Sequence, residues 1–489
     1  MFPQVISDPM LSKRRFIKLS ALSAFTGFIP SNALAKTTNI FTNLIKKSGF
    51  ENNTSFMAVD LRSNKLIGRH NEKLRLPIAS VTKMVTACYY LNNHKLDRFK
   101  TELFIDGVIK DNILHGDLYL KGYGDPTLKT DDLSLFIDSV KNMGVTEVDG
   151  SLFYDNSYLP DINYINRNQL PQYAYNPGMG AINLNENRIL FKWKRLEKEK
   201  YMTSLTAPGL KNIAKVTNIT IDLENNKGPV YDYELDEKKF EEKWSVNRRI
   251  LGKKGSRWLP VRESSYYATE ALKQLLVDRG IKITNMSRKK VSEKSRLLST
   301  HYSVDNKIIL KSALKYSKNM VTESLGLITS RLVSENLYDL DQSAIIMTRW
   351  FRNIIGKQNS LFLNHSGLSA GSFSTSEDFR RFLMQDNVQK SLLPVLKRIP
   401  IYTSKGKVNS IGNITVKGKS GTMHYIRGLA GYVCKEDIPV MAFSIFSADL
   451  KKRKENSSNN FEKPKGSSSW LSRAVIQERQ IVRKIIDSI

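Results

Sequence analysis

GKSGTMHYIRGLAGY, residues 418–432, is the stretch that decides the fold. With its flanks it makes three β-like runs, NITVKGKSGTM (413–423), GLAGYVC (428–434) and IPVMAFSIFSA (438–448). Their spacing predicts adjacent antiparallel strands. Lys419-Ser420-Gly421 lies on the first of them. A glycine there lets a substrate backbone pair along the strand, while the Lys419 charge and the Ser420 hydroxyl attract a carboxylate. The tripeptide alone is a weak signal, since Lys47-Ser48-Gly49 has the same form.

Two further patterns lie upstream. Ser80-Val81-Thr82-Lys83 follows Pro77 and opens an apolar helical pattern with Val81, Met84, Val85 and Cys88 at i, i+3, i+4, i+7. On one helix face the Lys83 amine reaches the Ser80 hydroxyl, and a serine needs such a base to become a nucleophile. The helix start adds N–H groups facing an incoming carbonyl. Ser-x-x-Lys recurs at Ser287/Lys290, Ser312/Lys315 and Ser404/Lys407, so context selects the Ser80 copy. Ser317-Lys318-Asn319 sits between two helical patterns, where a hydroxyl could pass on a proton and an amide could hold a peptide; Ser245-Val246-Asn247 is its decoy.

The 489 residues suggest two to four domains, and hydrophobic residues at 40% suffice for ordinary cores. Mean hydropathy is −0.36, and no apolar run is long enough to span a bilayer. Two cysteines exclude a disulfide scaffold, and whether Cys88 and Cys434 pair is open. The six histidines (70, 94, 115, 301, 365, 424) show no metal-like spacing; neither G-x-S-x-G nor H-E-x-x-H occurs.

Residues 1–35 read as an export signal: Lys13, Arg14, Arg15 and Lys18 are basic, Leu19 to Pro30 is apolar, and Ala33-Leu34-Ala35 suits a signal peptidase. The basic stretch resembles a twin-arginine signal, with an ordinary secretory signal as the alternative. A periplasmic protein beginning at Lys36 is expected. The chain has 76 Lys and Arg against 47 Asp and Glu. The signal holds few of these, so the mature chain stays strongly basic. Outside the cytoplasm nucleic acid is not an expected partner; anionic cell wall or a membrane surface is the candidate for peripheral contact.

In this order the motifs S-x-x-K, S-x-N and K-[ST]-G resemble the signature of the penicillin-binding proteins and serine β-lactamases, and the following G-x-A-G-Y strand sharpens the likeness. Far more chain separates Ser80 from Ser317 than Ser317 from Lys419. That spacing, with GDLYLKGYGDPTL, VDGSLFYDNSYL, NPGMGAINLNENR and HSGLSAGS, resembles the class C low-molecular-mass penicillin-binding proteins. These are D-alanyl-D-alanine carboxypeptidases and endopeptidases acting on peptidoglycan peptides, with β-lactams as inhibitors and no metal or cofactor.

The resemblance implies a mixed α/β fold, a transpeptidase-like antiparallel sheet flanked by helices. It would be built from 36–104 and 286–489 and interrupted by a β-rich insertion at 105–285, expected as two nested subdomains. It also implies Ser80 as nucleophile, Lys83 as general base, Ser317 and Lys419 as proton relay, and Asn319 on the substrate amide. The N–H groups of Ser80 and Thr422 would form the oxyanion hole, and Ser420, Gly421 and Thr422 would line the substrate strand. His424 would border the same pocket, and Asp155 is expected to bind the peptide amine. Ala370 departs from the family, which often has an arginine there for diaminopimelate. Two rivals are a β-lactamase or esterase on the same fold, disfavoured by the long insertion, and a non-catalytic peptidoglycan binder, which has no need of Ser80, Lys83 and Lys419 together.

Overall fold

The computed structural model describes residues 40–489 apart from 95–96, 198–199, 226–228, 335, 338, 404–405, 457–461 and 463. The expected export signal lies outside these residues. β1 (Thr54–Asp60) and β2 (Leu66–His70) form a hairpin. The C-terminal runs form β3 (Ile414–Met423), β4 (Ile426–Lys435) and β5 (Ile438–Ala448). β5 pairs with β1, so the two ends of the chain close one antiparallel sheet in the order Lys397–Arg398, β3, β4, β5, β1, β2.

The meander is central because it is apolar on both faces. Along β5, Met441, Phe443 and Ile445 join the core on one side, whereas Ala442, Phe446 and Ala448 join the other. This is the two-residue alternation of a strand buried from both directions.

Seven helices matter for the site: α1 (Thr82–Asn93), α2 (Asn306–Tyr316), α3 (Asn319–Val333), α4 (Leu340–Ile355), α5 (Ser376–Leu383), α6 (Asp386–Leu392) and α7 (Ser467–Ile486). α7 lays Trp470, Ile481, Val482 and Ile485 over one sheet face, and α1 with α3 to α6 builds the core on the other. α1 is buried from Thr82 to Tyr90, as a helix packed on several sides must be. α4 to α6 go beyond the sequence reading, although Ala344, Met347, Phe351 and Ile355 on α4 carry a clear helical period. The charged and Ser-rich stretch at 450–469 begins with a short helix, Leu450–Glu455. Cys88 and Cys434 are buried free thiols.

Between α1 and α2 stands the insertion. Its five-stranded sheet runs Lys282–Arg288, Glu147–Asp155, Ile113–Gly122, Lys100–Lys110, Arg296–Tyr302. The inserted sheet therefore begins at Lys100 and ends at Tyr302, beyond the expected 105–285 on both sides. Arg296–Tyr302 has no buried residue, so it carries no alternation to read, and pairing with Lys100–Lys110 alone makes it a strand. The two smaller sheets, of four and three strands, share one continuous apolar core with it, including Leu118, Phe191 and Trp244. The two groups of sheets thus rest on a single core.

Candidate active site

Ser80 occupies a single 3-10 turn, Ala79–Val81, directly before α1 and packed across β3. Ala79 is held at φ 47. That left-handed conformation costs an alanine ~1–3 kcal/mol and persists only where its surroundings enforce it. Gly421 is one enforcer: a Cβ built on it would lie 2.6 Å from both the Ser80 nitrogen and the Ile78 carbonyl oxygen. Only a glycine lets β3 come this close to the Ser80 backbone. Gly421→Ala must push these backbones apart, and displacements approaching 1 Å cost ~100-fold. Acylation by a β-lactam, followed by stopped-flow, is expected to slow by ~10–100-fold while thermal unfolding remains cooperative.

Lys83 has no solvent exposure. Its ammonium donates to Ser80 Oγ at 3.0 Å, Asn319 Oδ1 at 2.8 Å and the Ser366 carbonyl at 2.7 Å. Burial pushes its pKa down to about 7, with the Glu323 carboxylate opposing the shift. A lysine near neutrality is a competent base, whereas an exposed one is almost wholly protonated. Glu323 is itself buried and accepts the N–H groups of His365 and Ser366, both at 2.8 Å. It thereby holds in place the carbonyl to which Lys83 donates.

Ser317 ends α2 in a left-handed cap, φ 57, which turns the chain into α3. Lys419 donates to Ser317 Oγ at 3.1 Å and to its neighbour's carbonyl, on Ser420, at 2.6 Å. Burial first, then the charges of Lys83, Lys397 and Arg427, hold its pKa well below the usual lysine value. Asn319 bridges domains: its Oδ1 accepts from Lys83 and its Nδ2 donates to the Tyr175 carbonyl at 2.9 Å. Tyr175 belongs to the insertion, whose Asn166 also donates to the Leu368 carbonyl at 3.2 Å. The structure thus brings together two hydrogen-bonded groups, Lys83 with Ser80 and Asn319, and Lys419 with Ser317, beside Gly421.

Among the described residues Lys397–Arg398 pairs only with Lys417 and Gly418, and they leave the outer edge of β3 from Lys419 onward open for an extended peptide. Thr422 on that edge is exposed, and its hydroxyl accepts from Arg427 at 2.9 Å. His424 stands in the turn after β3, with its carbonyl held by Arg453 at 2.8 Å. Burial and the Arg453 charge lower its pKa. Ala370 is partly buried against the catalytic core and places no cation there.

Asp155 is not available for a substrate amine. Its side chain is fully buried at the end of Glu147–Asp155, accepting the N–H groups of Ser157 and Val291 at 3.0 Å each and pairing with Lys121 at 3.5 Å. A strand-end aspartate satisfied by one turn N–H and one backbone N–H from a distant segment is a structural tie within the insertion. Conversely, the Ser366 and Tyr175 carbonyls were invisible beforehand, since a backbone carbonyl carries no residue identity. Glu323 was accessible to a sequence reading, one helical turn after Asn319 on the same face of α3.

A family model described as D-Ala-D-Ala carboxypeptidase 3 (S13) matches residues 39–464. The D-alanyl-D-alanine carboxypeptidase DacB of Haemophilus influenzae is 23% identical over 454 residues, spanning 88% of this chain and 93% of that protein. The crystal structure of penicillin binding protein 4 (dacB) from Haemophilus influenzae is similar with a TM-score of 0.71 at 19% identity, covering 91% of this chain and 99% of that one. Its complex with a novel β-lactam matches with a TM-score of 0.67, at the same identity and coverage. These likenesses establish the shared fold. Because the family match runs through all three motifs and most of the chain, the protein belongs to the D-Ala-D-Ala carboxypeptidase 3 (S13) family.

Proposed function

We propose that the chain hydrolyses D-Ala-D-Ala bonds of peptidoglycan stem peptides and D-Ala-diaminopimelate bonds of their cross-links, through an acyl-enzyme on Ser80. The observation that carries this is the buried Lys83 amine at 3.0 Å from Ser80 Oγ with its pKa brought to about 7. Lys83 takes the hydroxyl proton as Ser80 Oγ bonds to the scissile carbonyl carbon. The oxyanion forms against the N–H groups of Ser80 and Thr422. Lys419 and Ser317 then deliver a proton to the leaving nitrogen as its bond to carbon breaks. Water, deprotonated in turn, attacks the ester and frees Ser80.

A β-lactam enters the same first step and leaves the ester in place. Export to the periplasm, where the basic surface meets anionic wall polymer, accords with the signal-like first 35 residues. Labelling with a fluorescent penicillin, followed by digestion of purified cross-linked muropeptides, tests the reading. Labelled protein and release of D-alanine or of monomers are expected. Absence of label and of both products overturns it.

A further inference from the structure

The Lys83 amine has one acceptor on its own helix turn, Ser80 Oγ, and two from elsewhere, and the insertion braces both of the latter. The first is Asn319 Oδ1, whose amide nitrogen donates to the Tyr175 carbonyl at 2.9 Å. The second is the Ser366 carbonyl, two residues before Leu368, whose own carbonyl accepts Asn166 Nδ2 at 3.2 Å. The two ends of a carboxamide have nearly the same shape, so their partners decide which one faces the ammonium. With Tyr175 accepting from Nδ2, the amide oxygen is left for Lys83. A flipped amide would set N–H donors against the ammonium.

Tyr175 and Asn166 belong to one loop of the insertion, 163–176, and a single distant side chain gathers it. Arg262, 1% exposed, stands just before the helix Ser264–Asp278. Its Nη1 donates to the Asn176 carbonyl and its Nη2 to the Pro171 carbonyl at 2.8 Å, and its guanidinium lies 4.1 Å from the centre of the Tyr164 ring. The buried Glu242 carboxylate accepts the Arg262 N–H at 2.8 Å and supplies an opposite charge to the guanidinium. Asn176, next to Tyr175, also clamps Asn166: its Oδ1 accepts the Asn166 N–H at 2.9 Å and its Nδ2 donates to the Asn166 carbonyl at 3.0 Å. The rigid fork of an arginine fixes the carbonyls it reaches.

We propose that Arg262 is a positioning residue for the peptidase reaction, anchoring the 163–176 loop so that the Tyr175 carbonyl holds the Asn319 amide with its oxygen on Lys83. The inference rests on the peptidase reading above and deepens it, since it gives the insertion a part in the chemistry of Ser80. The test is a double-mutant cycle on the rate of β-lactam acylation, followed by stopped-flow, in the full chain. Arg262→Met removes the fork and keeps the bulk. It is expected to slow acylation by ~10–100-fold, the scale of a small misplacement relayed from a distance. In an Asn319→Ala background the same change should cost less than about threefold, because the group it acts through is gone. Arg262→Lys should recover part of the loss. If Arg262→Met fails to fold, the half-buried Asn166→Ala carries the same cycle from the other end of the clamp, with a loss of about tenfold expected. Equal slowing with and without Asn319 overturns the proposal and makes Arg262 a tie within the insertion. Near-normal acylation by both Arg262→Met and Asn166→Ala overturns it as well. Either result leaves the peptidase reading standing, whereas a wild type that takes no penicillin label removes that reading and the inference with it.

Discussion

Replacing Ser80 with alanine is expected to abolish β-lactam acylation and lower peptide hydrolysis by ~1,000-fold or more, the scale seen when a nucleophile acting as part of a unit is removed. Intact-mass spectrometry of the wild type should show one adduct, and its peptide map should end on residue 80. The structure makes this a sharp question because it presents two serine–lysine pairs in one cleft. Ser317 lies 3.1 Å from Lys419 just as Ser80 lies 3.0 Å from Lys83. Two features separate them. Ser80 stands in the turn before α1 and abuts Gly421, whereas Ser317 closes α2 in a left-handed cap. An adduct that survives in Ser80→Ala and maps to Ser317 reverses the roles.

Lys83→Arg should slow acylation by ~100-fold or more, since it keeps the charge and loses the base. The pH dependence supplies an independent check with a defined sign. Burial lowers the Lys83 pKa to about 7 from the ordinary lysine value, so the free amine is the minor form below pH 7 and the major form above it. Wild-type acylation should rise about tenfold per pH unit on the acid side and level off above about 7. In Lys83→Arg that limb should vanish, because a guanidinium stays protonated throughout the range. A wild-type rate that is flat between pH 5 and 8 assigns the base to another group. Near-normal acylation by the arginine variant does the same.

The residues that the structure brings together at the candidate site were largely legible from the sequence, and the reason is local. Ser80 and Lys83 lie one helical turn apart, and Ser317 and Asn319 flank one cap. Lys419, Ser420 and Gly421 are consecutive on a strand whose alternation announces it. Such short-range geometry is determined by helix and strand periodicity before any tertiary contact forms. The antiparallel sheet was legible for the same cause, since β4 and β5 are apolar on both faces. The Arg296–Tyr302 edge strand was not, because it buries nothing and exists only through its partner.

By itself, then, the sequence determined the motifs, their order, the sheet that carries them and the family they resemble. The tertiary structure decided which Ser-x-x-Lys has a Ser-x-Asn amide and a glycine strand beside it, and that Asp155 is closed inside the insertion. It also decided that Glu323 and the Ser366 carbonyl hold Lys83, and that Arg427 pairs with Glu478 on α7. Each of these joins residues far apart in the chain. A carboxylate's role depends on which donors reach it, and a lysine's proton on how deeply it is buried, and neither depth nor distant partners are encoded in local periodicity.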